Sequence, residues 1–99
     1  MVEDPVVLVL FHLPPGTAAR EVTKLSQRLY GRTVHTWKGR YEYHRDGVLE
    51  TIPHRRLGRG TIVLRKRDWR VVKALLKEFG AKTEVRLIQP TREDLTALG

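Results

Sequence analysis

Val6 to Phe11 is an unbroken apolar run of six residues, and Leu13 extends it past His12 before Pro14-Pro15-Gly16 closes it. Neither a helical stripe nor a strand alternation fits a segment that is apolar on every side. A run of this length, rich in valine and bounded by turn residues, reads as a central strand buried on both faces. The chain must therefore build a sheet around it. The run is also far shorter than the roughly 20 residues that cross a bilayer, and Glu3 and Asp4 precede it rather than a basic leader. Neither an anchor nor a secretory signal is expected, and the expected compartment is the cytoplasm.

The rest of the chain is punctuated clearly enough to place elements. Thr17 is a helix cap, and Ala18, Val22, Leu25 and Leu29 form an apolar stripe that Gly31 stops. Arg32 to Arg45 switches to a period of two, with Thr33, His35, Trp37, Tyr41 and Tyr43 on one side and Val34, Thr36, Lys38, Arg40, Glu42 and His44 on the other. Gly39 reads as a bulge within it. Asp46-Gly47 signals a hairpin turn into a short strand, Val48 to Ile52, which Pro53 ends. The stretch His54-Arg55-Arg56-Leu57-Gly58-Arg59-Gly60 has the composition of a flexible loop, and Thr61 to Leu64 returns to a strand. Asp68 caps a second helix with Trp69, Val72, Leu75, Leu76 and Phe79 on one face and Gly80 at its end. Lys82 to Gln89 is a half-buried strand ended by Pro90. Thr91 with Asp94 makes a capping box for a last helical turn through Leu98.

These elements predict an α+β chain of one domain, residues 1–99: a ferredoxin-like βαββαβ two-layer sandwich with an extended central β-ribbon. Both helices should cover one sheet face, with the first and third main strands central. The other face should be open or taken by a partner.

Composition matters for what that fold meets. The formal charge is +8, and it is not spread evenly. Residues 32–67 carry ten basic and three acidic side chains, a balance of +7, while the remaining 63 residues hold nine basic and eight acidic. Such a localised excess points to a polyanion, nucleic acid before an anionic membrane. Cysteine is absent, which excludes disulfides and thiolate-bound metals. Asparagine is absent too, and 13 of 19 basic residues are arginine, a composition that suits a thermophile.

Three groups stand out within the basic third. Trp37, Tyr41 and Tyr43 are expected on one ribbon face among Lys38, Arg40 and Arg45, where π-faces for bases would lie beside cations for phosphates. His54, Arg55, Arg56 and Arg59 lie around Gly58 and Gly60, so that guanidiniums and backbone N–H groups could reach successive phosphates. Arg65 and Arg67, two apart on a strand, would join that patch, leaving Lys66 as plain surface.

The residues for catalysis are sparse. Ser26 is the lone serine and falls on a helix, and the four histidines show no i, i+4 pair with a carboxylate beside it. Asp46 and Glu50 flank a turn, which turn chemistry explains for Asp46. The sequence predicts no enzyme, no metal and no cofactor.

Leu8-Val9-Leu10-Phe11-His12-Leu13-Pro14-Pro15-Gly16-Thr17, continuing to Leu29-Tyr30-Gly31, resembles the opening of an RNA-recognition motif, and Arg59-Gly60-Thr61-Ile62-Val63-Leu64 falls where that family's second signature starts with Arg-Gly. The resemblance implies the fold and RNA binding. The family's stacking rings would match Val9, Thr61 and Val63, which have no rings, so stacking is expected on the ribbon instead. The same fold serves small CRISPR-associated nucleases whose metal-binding Asp ends the first strand. His12 stands at that place, and nuclease chemistry is not implied.

The expectation is a small basic binding protein for RNA or DNA that grips mainly the backbone through the ribbon and the Arg/Gly loop. The alternative is a non-catalytic adaptor subunit of a nucleic-acid-processing complex, docking a protein or forming a homodimer through the uncovered sheet face.

Overall fold

The apolar run becomes β1 (Val6–His12), paired on both sides within a four-stranded antiparallel sheet of order β4-β5-β1-β6. The computed structural model describes residues 4–36 and 41–99. Along the chain β1 is followed by α1 (Ala19–Tyr30), β2 (Arg32–Thr36), β3 (Tyr41–Arg45), a 3-10 turn (Val48–Thr51), β4 (His54–Gly58), β5 (Thr61–Arg65), α2 (Lys66–Glu78), β6 (Lys82–Ile88) and α3 (Arg92–Leu98). The result is an α+β fold with three α-helices among the described residues. Its order does not match the expected βαββαβ sandwich with a central ribbon. β2 and β3 form a sheet of their own, and a 3-10 turn stands in place of the short strand expected after Asp46-Gly47.

Strand alternation divides β1 between two cores. Val7 and Val9 face α1 and α2, packing with Ile62, Leu64, Leu25, Leu29, Val72 and Leu76. Val6, with Val63 and Leu98, forms a smaller cluster on the opposite face under α3, flanked by Leu8 and Ile88. The far end of that face stays open, with Leu10 38% exposed. The register pairs Leu8 with Val63 and Leu10 with Thr61. Val9 therefore points away from Thr61 and Val63, and the three positions matched to a stacking surface do not share a face. Val63 is instead buried beneath α3.

Several local expectations change for identifiable reasons. The register of β2 with β3 pairs Arg32 with Arg45, Val34 with Tyr43 and Thr36 with Tyr41. Asp46-Gly47 therefore does not join two paired strands, since β3 is already paired with β2 and a 3-10 turn follows Gly47. Tyr41 and Tyr43 share a face with Val34, Arg32 and Arg45, while Thr33 and His35 lie on the other.

Val48–Thr51 is a 3-10 turn rather than a strand because Leu49 and Ile52, three apart, both enter the core. The Glu50 carboxylate accepts from the Gly47 N–H at 3.3 Å. A side chain at Gly47 would collide with the backbone of Leu29 and Gly31, so glycine is what lets this turn seat against the end of α1.

His54–Gly58 is an edge strand paired with β5, not a loop, and only Arg59-Gly60 remains as its turn. The N-cap of α1 is Ala18, one residue after the expected Thr17, whose hydroxyl donates instead to the Pro14 carbonyl at 2.6 Å. α2 begins at Lys66, so Asp68 lies in its first turn. The Thr91–Asp94 capping box forms as read, with the Asp94 N–H donating to Thr91 Oγ1 at 3.1 Å and the Thr91 N–H to Asp94 Oδ2 at 2.9 Å.

Candidate nucleic-acid interface

β4 delivers two consecutive arginines to opposite sides of the sheet. Arg55, opposite Val63, lies on the α3 face, where its guanidinium donates to Asp94 Oδ1 at 2.8 Å and to Thr91 Oγ1 at 3.4 Å. Asp94 is 3% exposed and is the buried charged residue of the described chain. Its carboxyl is held below the ordinary range, first by the Thr91 backbone N–H, against the opposing pull of burial, and then by Arg55.

Arg65, at the end of β5 on the same face, donates to the Leu98 carbonyl. Two cations therefore staple α3 at both ends, one at its capping carboxylate and one at an end carbonyl where the helix leaves acceptors and negative partial charge. Sequence reasoning missed this role because it needs α3 folded back over the sheet.

Arg56, opposite Ile62, goes to the helix face. Its guanidinium lies 4.1 Å from the centroid of the Tyr30 ring at the end of α1. Arg59, in the β4–β5 turn, lies at the same cleft. Among the described residues no carboxylate lies within ion-pair distance of Arg56 or Arg59. Burial raises the Tyr30 phenol pKa, and the Arg56 charge works against that rise.

Exposure settles two of the ribbon rings. Tyr41 is 68% and Tyr43 44% exposed, so neither serves the core. The Arg45 guanidinium sits 5.8 Å from the Tyr43 ring centroid, which gives this ribbon face a cation and rings together. Arg32, directly opposite Arg45, adds a second cation that sequence reasoning had counted only as charge. Trp37, Lys38 and Arg40 lie outside the described residues. Tyr30, which lines the cleft, and Arg32, which starts β2, are joined through Gly31.

The remaining expected contacts are engaged elsewhere. His54 Nδ1 donates to the Ile52 carbonyl at 2.9 Å. Arg67 is not two positions along a strand from Arg65, because the strand ends there and α2 takes over; it pairs with Asp4 at 3.1 Å.

The base of the ribbon holds a further cluster. His44 Nε2 lies 2.8 Å from Glu50 Oε1 and 3.7 Å from Asp46 Oδ1. The ligand atoms of all three residues lie within 4.8 Å of one another, so these are the described side chains that could hold a metal ion. The short His44–Glu50 hydrogen bond already engages both groups, and it is the first cause that lowers the Glu50 pKa.

No described helix is long and apolar enough to cross a membrane. Compared with known family models, curated proteins and solved structures, the chain has no significant match in any of the three.

Proposed function

We propose that the protein binds single-stranded nucleic acid, RNA or DNA, through the ribbon face and the adjoining cleft rim, on what we read as a ferredoxin-like frame with an inserted ribbon. The observation that carries the reading is the contrast in partners: Arg56 and Arg59 face a cleft without a carboxylate, while Tyr41 and Tyr43 stand exposed beside Arg32 and Arg45. Exposed rings next to cations suit strands whose bases are already unpaired, since each base has a face to stack and each nucleotide a phosphate to neutralise. Contacts of this kind read little sequence.

Fluorescence anisotropy on matched single- and double-stranded RNA and DNA, at two or more salt concentrations, tests the reading. Neutralising about six phosphates on a single strand gives a slope of log affinity against log salt of roughly −4. Tighter binding to single strands is expected. A salt slope near zero, or preference for duplexes, overturns it.

A further inference from the structure

A cleft of about 410 Å³ opens between the end of β1, α1 and the β4–β5 turn. This is the size of a small-ligand site, which typically spans about 300–1,000 Å³, with mostly apolar walls and a few placed polar groups. Phe11, Leu13, Val22 and Leu25 supply apolar wall, and Arg56 and Arg59 supply charge. Gly60 sets the rim: it adopts φ 76°, its carbonyl accepts from the Phe11 N–H at 2.9 Å, and a side chain there would strike the Phe11 carbonyl. Only a glycine lets the turn close on β1 and bring Arg59 to the opening.

One wall holds an unsatisfied group. The Tyr30 hydroxyl is the buried side-chain polar atom that has no hydrogen-bond partner among the described residues. A buried donor left unpaired is costly, and such exceptions call for a partner that the fold itself does not supply. The same ring carries the Arg56 guanidinium on its face, a planar group stacked on an aromatic as a base would be.

Building on the single-strand reading, we propose that the cleft takes one nucleobase turned out of the bound strand, with its flanking phosphates on Arg56 and Arg59. The apolar walls receive the base, and a base carbonyl or ring nitrogen would meet the Tyr30 hydroxyl, closed off in the unbound protein, as Arg56 leaves the ring for a phosphate. The strand reaches the cleft from the ribbon face, which begins two residues past Tyr30 at Arg32. An unstacked base on a flexible single strand reaches such a pocket at little cost, whereas a paired base must first be pulled from its duplex.

The test compares the intact protein on a single-stranded oligonucleotide and on the same oligonucleotide with abasic positions along its centre, alongside Ser26→Phe, which fills the cleft from an exposed position on α1. Ser26 lines the cleft without belonging to the core. The wild type should lose about tenfold in affinity on the abasic strand, within the range one stacked base supplies. Ser26→Phe should lose a similar factor on the intact strand and distinguish the two strands by correspondingly less than the wild type does, with its salt slope unchanged. A folded Ser26→Phe protein that binds the intact strand as tightly as the wild type, at the expected salt slope, overturns the cleft proposal while the ribbon reading stands. Absence of any oligonucleotide binding overturns both. Where the filled variant unfolds, the protein with Trp37, Tyr41 and Tyr43 all replaced by Ala decides the matter: it should still bind the intact strand more tightly than the abasic one, and equal binding overturns the cleft proposal.

Discussion

Arg55 and Arg56 are neighbours on one edge strand, yet one is bound to a buried carboxylate and the other lies over a ring at an open cleft. The α3 corner and the cleft corner thus draw on the same basic segment for opposite ends. At the α3 corner, cations complete the fold. At the cleft and along the ribbon they lack acidic partners among the described residues and stay available to an external polyanion. A charge excess along the sequence marks where cations are made, but only the partners they meet separate the arginines that complete the fold from those without an acidic partner among the described residues.

The sharpest way to break this contrast is to exchange the two arginines' fates by substitution. Arg55→Ala leaves the Asp94 carboxylate buried without its cation and should destabilise the protein by about 2–3 kcal/mol, read as a lower urea midpoint at unchanged m-value. Replacing Arg56 and Arg59 together by Ala should change stability by under about 0.5 kcal/mol, as for surface positions. The same double substitution should make the salt slope of single-strand binding shallower by about 1.5. If Arg56→Ala unfolds the protein as readily as Arg55→Ala, the division between the two corners fails.

Next in size are the ribbon rings. Tyr41→Ala or Tyr43→Ala should each weaken single-strand affinity by about tenfold, the lower part of the range for a lost stacking platform, and leave the melting temperature in place because the side chains are exposed. A shifted melting temperature would show that the ribbon is part of the stability core.

The smallest effect is in pH. Because the Asp94 pKa is lowered in the folded state, the unfolded chain takes up that proton at the higher pH. The stabilisation is complete above the unfolded value of about 3.9 and is lost as pH falls through it towards the lower folded value. Urea midpoints across pH 2–6 should show this decline, and Asp94→Asn should flatten it. Arg55→Ala should flatten it only in part, since the Thr91 N–H is the larger cause.

Much of the frame was legible in the residues. An apolar run with no period could only be an interior strand, the 3–4 spacing of Val22, Leu25 and Leu29 could only be a helix face, and Thr91 with Asp94 forms the capping box that its spacing announced. Each of these follows from interactions within a few residues or from the demand to bury a face. The site was legible only as a composition. Tyr41, Tyr43, Arg56 and Arg59 come from the basic third of the chain, but Arg55 and Arg65 could not be told from them, and Tyr30 carried no local mark beyond ending a helix before a glycine.

What the sequence determined alone is therefore the interior: which segments must be covered, where helices begin and stop, and that cations crowd one third of the chain. What the tertiary structure decided is the assignment of each cation. A strand sends successive side chains to opposite faces, and a turn resets which residues share a face. The fate of Arg55 or Arg56 thus depends on the register of β4 with β5 and on α3 returning across the sheet more than 35 residues later, a pairing between distant parts of the chain that local pattern does not encode.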